Sequence, residues 1–228
     1  MKKYLIALLA LLVIALAACS SDSELTKSGK DPAGIHHNRD TDQPAPQSWE
    51  GSDVDIGMTE ESAYKNATLG ISAAFPENLH ISSEAELAAH SGLTADTFDR
   101  AAIADAIENG QTVEIFCASE LAAPYSVTIR VLKNPLPDGD EAALISHFSA
   151  EAITEFEQTG VNVVSAVAEA EFCGQERPVL TLSGSAEELP LYETILYLPC
   201  GDLLYTVTVL SGMTDRSAEL LGLFEAIN

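Results

Sequence analysis

The chain is 228 residues long, 46% hydrophobic, and carries 35 acidic against 11 basic residues, a formal net charge of −24. Such a surface repels phosphate backbones and anionic headgroups, which argues against nucleic acid as a partner and against electrostatic adhesion to lipid. Length and apolar content suffice for one hydrophobic core without disulfide staples.

Residues 1–18, MKKYLIALLALLVIALAA, place Lys2 and Lys3 ahead of an unbroken apolar run from Leu5 to Ala18 that ends on small residues. This is the layout of a secretory signal peptide. The run, about 14 residues, is shorter than the roughly 20 that cross a bilayer as a helix, so removal is expected. Leu16-Ala17-Ala18-Cys19 resembles the lipobox of bacterial lipoproteins, an aliphatic residue and two small ones before a lipid-modified cysteine. The resemblance implies that Cys19 becomes the acylated N-terminus and holds the protein on the extracytoplasmic face of the cell membrane. Each buried methylene of its chains contributes about 0.8 kcal/mol.

Residues 20–62 are rich in Ser, Asp, Gly and Pro and show almost no apolar periodicity. A segment of that kind buries too little apolar surface to offset its ordering entropy. With Cys19 it is expected to form a lipidated tether over 19–62, with a root-mean-square span of roughly 35–40 Å. His36 and His37 are adjacent but have no further ligands at metal-binding spacing. Trp49 is a lone aromatic in the same segment.

From residue 63 to 228 the pattern is that of one folded domain. Thr68 to Phe75 reads as a short strand ending at Pro76, Ser83 caps a helix over EAELAAH, and Thr94 is placed to cap a second with Phe98, Ala102, Ile103, Ala106 and Ile107 inward. Two strands follow. In the first, Val113, Ile115 and Cys117 alternate with Glu114 and Phe116; in the second, Val127, Ile129 and Val131 alternate with Thr128 and Arg130. After NPLPDGDE, Leu144, Ile145, Phe148, Ala152, Ile153 and Phe156 keep helical spacing up to Gly160. A meander of four strands is predicted over 161–172, 178–183, 192–198 and 203–210, then a closing helix from Asp215 to Ile227. The sum is an α+β domain with a mainly antiparallel sheet of about seven strands. Strands apolar on both faces, such as LLYTVTVL, call for a sheet covered on two sides.

The segment from Ala63 to Leu93 carries Tyr64, Asn66, Gly70, Ile71, Pro76, Leu87 and Gly92 in an order that resembles small lipoproteins common in Clostridia. Those are similar to the PsbP-like α/β/α sandwich, the fold of a photosystem II extrinsic subunit, of a Ran-binding import factor and of DcrB-type lipoproteins. One departure is Leu79-His80, where the group commonly has a tryptophan. The resemblance implies the fold, no active site, and protein partners.

Signs of chemistry are sparse. His80, His90 and His147 have no serine in a nucleophile elbow beside them. Cys117 reads as a small buried hydrophobe. Cys173 and Cys200 each precede a glycine, at turns that a meander puts at the same end of the sheet, and form a candidate disulfide. In simple strand order they lie on next-nearest neighbours, about 9–10 Å apart, a long reach for a bridge. Asp138-Gly139-Asp140-Glu141 lacks the spaced ligands of a calcium loop and reads as a helix N-cap. No phosphate-binding glycine loop is present, and no metal or cofactor is expected.

The expectation is a monomeric, non-enzymatic envelope lipoprotein that docks an envelope protein or assists assembly. Its alternatives are a small-ligand binding lipoprotein of a transport system, and an envelope hydrolase whose site is assembled from distant residues, with His147 or Cys200 as the groups to watch. Cys19→Ala is expected to move the protein from the membrane fraction to the soluble fraction; continued retention on fractionation would place the anchor elsewhere.

Overall fold

The computed structural model describes residues 54–120, 125–186 and 189–227; the signal segment, Cys19, His36, His37 and Trp49 lie outside the described residues. The first strands are β1 (Met58–Glu60), β2 (Ala63–Asn66), β3 (Ile71–Ala74) and β4 (His80–Ile81), followed by helices α1 (Glu84–His90) and α2 (Arg100–Glu108). Then come β5 (Val113–Glu120), β6 (Tyr125–Lys133), helix α3 (Glu141–Glu157), and the meander β7 (Val164–Phe172), β8 (Gln175–Ala186), β9 (Leu189–Cys200) and β10 (Leu203–Gly212). The short helix α4 (Ser217–Leu221) and β11 (Phe224–Ala226) close the chain.

The fold is α+β with a seven-stranded antiparallel sheet, order β4-β5-β6-β10-β9-β8-β7, as expected. A second sheet of four strands, order β1-β2-β3-β11, was not legible as such. In the large sheet Val207 lies opposite Ile129 on one side and Leu196 on the other, so these side chains share a face. With Phe116, Phe172 and Tyr205 they pack against Tyr64, Phe75, Ile103, Ile107, Leu221 and Phe224. The alternate residues Leu180, Leu182, Ile195, Tyr197 and Leu204 meet Leu144, Ile145, Ala152 and Phe156 of α3 on the opposite face. Fully burying each such side chain stabilises the fold by about 1.5–3 kcal/mol. Ring contacts join the two sheets: Tyr64 and Phe116 have centroids 4.5 Å apart, and Phe172 and Phe224 5.2 Å.

The residues of the Tyr-x-Asn-x-x-x-Gly-Ile pattern hold the β2–β3 connection. Buried Asn66 donates through Nδ2 to the Asp55 carbonyl and to the Tyr64 hydroxyl, and its Oδ1 accepts from the Leu69 N–H at 2.9 Å. Gly70 takes the left-handed conformation that the turn requires, at φ 64°.

Four local readings are corrected. The second helix starts at Arg100 under an Asp99 cap, whose carboxylate accepts from Ala102 N–H at 2.9 Å; the residues after Thr94 form a separate 3-10 turn, Ala95–Thr97. In β5 the register shifts between Glu114 and Phe116, so Phe116 lies opposite Ile129 while Cys117 lies opposite Thr128. One extra residue reverses the alternation beyond it. Cys117 is nevertheless buried. The closing helix stops at Gly222, and residues 224–226 leave it to pair with β3, Phe224 opposite Ala73. Leu220, Leu221 and Phe224 point inward as expected, but Ile227 is exposed.

The fourth correction moves the domain boundary. Residues 54–62, read as tether, belong to the fold: Val54 is fully buried, and β1 pairs with β2. Asp55 accepts through its carboxylate from the Gly57 and Thr68 N–H groups, each at 2.9 Å. Gly57, at φ 74°, lies so close to the Tyr64 ring that a Cβ there would be 2.5 Å from Cε2. A chain trimmed to begin at Ala63 should melt about 5–10 °C below one beginning at Val54, given about 2–4 °C per kcal/mol for a domain of this size. Equal melting temperatures by calorimetry would return these residues to the tether.

Candidate functional site

The large sheet opens at one end for a reason written in two prolines. The β8–β9 ladder runs from Ala186↔Leu189 to Leu180↔Ile195 and stops, although β8 begins at Gln175 and β9 ends at Cys200. Phe172↔Gln175 and Cys200↔Leu203 close two-residue hairpin turns, and closing pairs are hydrogen-bonded, so alternation settles which backbone groups face which neighbour. By that alternation the nitrogens of Pro178 and Pro199 both face the β8–β9 seam. Each of the next two rungs would need the N–H that one of them lacks.

The open end borders a cavity of about 390 Å³, lined among others by Thr68, Glu141, Cys173, Gln175, Arg177 and Cys200. Glu141 comes from the first turn of α3, Thr68 from the β2–β3 loop, Cys173 from the β7–β8 turn, and Gln175, Arg177 and Cys200 from the ends of the split strands. The structure thus brings Cys173 and Cys200 to one cavity, at the same end of the sheet as expected, but as two free, half-buried thiols rather than as the candidate disulfide. Cys173 sits at φ 53° beside Gly174 at φ 72°, a pair of left-handed residues that the tight turn demands.

Arg177 organises the polar side of the cavity. Its Nη1 pairs with the Glu141 carboxylate, and its Nη2 donates to Gln175 Oε1 at 3.2 Å. Its Nε is buried and has no hydrogen-bond partner. Burial raises the pKa of both Cys173 and Cys200, partly offset by the Arg177 charge. Cys117 is pushed up to about 11, again chiefly by burial. These are neutral thiols, the opposite of the depressed pKa that marks a nucleophilic cysteine. Among the described residues, no histidine lines the cavity. His147 is exposed and edge-on to Phe148, and His80 pairs with Glu86 at the surface.

A second polar group, not foreseen, spans the β5–β6–β9 region. His90 Nδ1 lies 2.8 Å from buried Glu114, and Arg130 Nε lies 3.5 Å from the other carboxylate oxygen. The Glu114 hydrogen bond raises the pKa of His90. Half-buried Glu193 is pushed up to about 7, mainly by burial and further by Glu155, against the pull of Arg130. The available signal was a charged residue inside each of three otherwise apolar strands, TVEIF, TIRV and YETIL. Asp140 caps α3 as expected, accepting from Ala143 N–H at 2.9 Å. Among the described residues no group of three or more His, Cys, Asp or Glu is placed to hold a metal ion, and no helix is long and apolar enough to cross a membrane.

No family model and no curated protein matches the chain. Among solved structures it is similar to LpqN, involved in cell envelope biogenesis of Mycobacterium tuberculosis, at 11% identity and a TM-score of 0.34, over 67% of this chain and 75% of that one. A likeness of that size carries no inference about activity.

The buried acids make stability depend on pH. A carboxyl raised from 4.5 to about 7 on folding keeps a proton that the unfolded chain has lost, so stability falls as pH rises across that interval. His90, raised from 6.5, acts in the same direction: its contribution is complete below that value and is lost as pH rises through its folded pKa. Glu193→Gln should therefore stabilise the protein by about 1–3 kcal/mol at pH 8 in urea denaturation, with the gain vanishing near pH 4. An equal gain at both pH values would show that Glu193 is not a titrating group.

Proposed function

We propose that this chain is a lipid-anchored, non-enzymatic protein of the bacterial cell envelope that docks an extended, basic segment of a partner protein along β7. The reading begins with Cys19 as the anchor and follows the resemblance to small lipoproteins whose fold mostly serves protein partners. The observation that carries it is the free edge of the large sheet. β7 is nine residues long and, among the described residues, pairs only with β8. Its Val164 and Val167 are 69% and 64% exposed.

The hydrogen-bond alternation set by the Phe172↔Gln175 turn directs the N–H groups of Ser165, Val167, Glu169 and Glu171 away from β8. Long edges are ordinarily blunted by proline, lysine or a covering element. β7 contains neither proline nor lysine. Ser165, Val167, Glu169 and Glu171 share one face, and all are exposed. Two copies pairing through this edge would bring like charges together, whereas a strand with lysine or arginine at alternate positions would meet opposite ones. That charge pattern favours a monomer with a basic partner. The neutral thiols and the surface position of His147 supply no activated nucleophile, which supports a binder over a hydrolase.

A synthetic ten-residue peptide alternating Lys with Val should bind saturably in fluorescence anisotropy, and its Glu–Val counterpart should not. Val167→Pro removes one outward N–H and leaves the β8 rungs intact; it should weaken binding at least about tenfold while shifting the melting temperature by no more than about 2 °C. The double change Glu169→Lys, Glu171→Lys should reverse the peptide preference. Equal binding of both peptides, or undiminished binding to Val167→Pro, would overturn the proposal.

A further inference from the structure

We infer that residues 80–91 form a pH-sensitive latch over the edge of the large sheet opposite β7, closed by the contact between His90 and Glu114 and loosened as His90 gives up its proton. The device sits at a different edge from the proposed docking strand and does not depend on that reading.

The latch is visible in the backbone of β5. One side of this strand pairs with β6, and on its other side β4 supplies two residues in register, His80 opposite Ser119 and Ile81 opposite Ala118. Farther along, the same side is closed by other means. Ser82 N–H donates to the Cys117 carbonyl at 2.9 Å, and Glu114 N–H donates to Ser91 Oγ at 2.9 Å. The chain from His80 through α1 to Ser91 thus crosses the edge and satisfies backbone groups that a foreign strand would otherwise find. The front of α1 is fixed by the capping box of Ser83 and Glu86, and its middle by buried Leu87 and Ala88. Its last residue is His90, whose Nδ1 lies 2.8 Å from Glu114 Oε1.

The burial of Glu114 makes that last contact a switch. Its side chain is 5% exposed, and its two oxygens meet His90 on one side and Arg130 Nε, at 3.5 Å, on the other. A buried carboxylate stays ionised through such partners. With His90 protonated, α1 contributes a charge-assisted hydrogen bond, roughly twice as strong as a neutral one. With His90 neutral, Arg130 alone offsets the charge of Glu114. Of the groups that act on His90, Glu114 from β5 draws the proton on, Arg130 from β6 opposes it, and Glu86 from α1 itself adds a weaker pull. On the neighbouring elements, His80 of β4 pairs with Glu86, and the 3-10 turn packed against α1 carries Asp96, which is exposed. The balance raises His90 from 6.5, so the latch is fully charged below that value and weakens as pH rises through the folded pKa. Opening bares the Glu114 N–H and the Cys117 carbonyl, groups of the kind to which an added strand pairs.

Hydrogen–deuterium exchange reads the latch. On the full chain in detergent, protection of single amides is measured by NMR across pH 5–9 and corrected for the intrinsic rate at each pH, with Val207, between β6 and β9, as the reference for global opening. Protection of the Glu114 amide relative to Val207 should fall at least about threefold from pH 5.5 to pH 8. His90→Gln keeps a side-chain donor toward Glu114 but does not titrate; its relative protection at Glu114 should be lowered already at pH 5.5 and should stay constant with pH. Should that variant not fold, the parent protein decides: the relative opening at Glu114 should rise with its midpoint at the His90 pKa read from the ring resonances of the same samples. A relative protection unchanged with pH in the parent, a midpoint away from the His90 pKa, or a pH dependence that survives in His90→Gln, as would follow from Glu193 acting through Arg130, would each overturn the inference.

Discussion

The constraint on which the rest depends is that β9 and β10 are buried on both faces. Leu196, Tyr205 and Val207 point one way and Ile195, Tyr197 and Leu204 the other, and all are almost wholly removed from water. A sheet with such strands at its centre is stable only with a layer on each side. Helix α3 supplies one layer. The other is composite: α2, α4 and the four-stranded sheet meet the opposite face, and its aromatic rings lock on Phe116 and Phe172. The order β6-β10-β9 makes the first half of the chain and its end share the central seam, so neither half completes the core by itself.

Against that saturated centre, the margins are where backbone groups and charges remain available. At one margin β7 presents an outward ladder bounded by like charges that discourage self-pairing. At one end of the sheet two prolines part β8 from β9 and leave space that Arg177, Glu141 and two thiols border. The two features lie on neighbouring strands but differ in kind, an extended backbone edge and a compact cavity. The described thiols and imidazoles follow the same division, since each is kept neutral by burial, paired with a carboxylate or left in solvent.

The surplus of acid shapes the interior as well as the surface. Glu193 and Glu155 act on one another near Arg130, and Glu114 is contacted by both that arginine and His90. With so few cations in the chain, one guanidinium serves several carboxylates, and a proton makes up the remainder on Glu193. The expected consequence is a stability that declines toward alkaline pH, a direction set by the burial of Glu193 and the pairing of His90 with Glu114.

What the sequence determined by itself is whatever rests on local period and local capping. Strand 125–133 follows from Val127, Ile129 and Val131, which alternate without interruption, and helix 141–157 from its Asp140 cap and apolar stripe. The meander order of the last four long strands followed from short turns, and the shared end of Cys173 and Cys200 with it. Only the tertiary structure decided matters that depend on a distant partner. The bulge before Phe116 exists because that ring fills space beside Tyr64 and Phe75; residues 224–226 leave a helical pattern because β3 has an open edge; and residues 54–60 join the fold because Asp55 and Gly57 find Thr68 and Tyr64. The cavity is of the same kind. Both prolines are visible in the sequence, but that their nitrogens face one seam follows from a register fixed by two hairpins, and pairing between strands is energy that no local window contains.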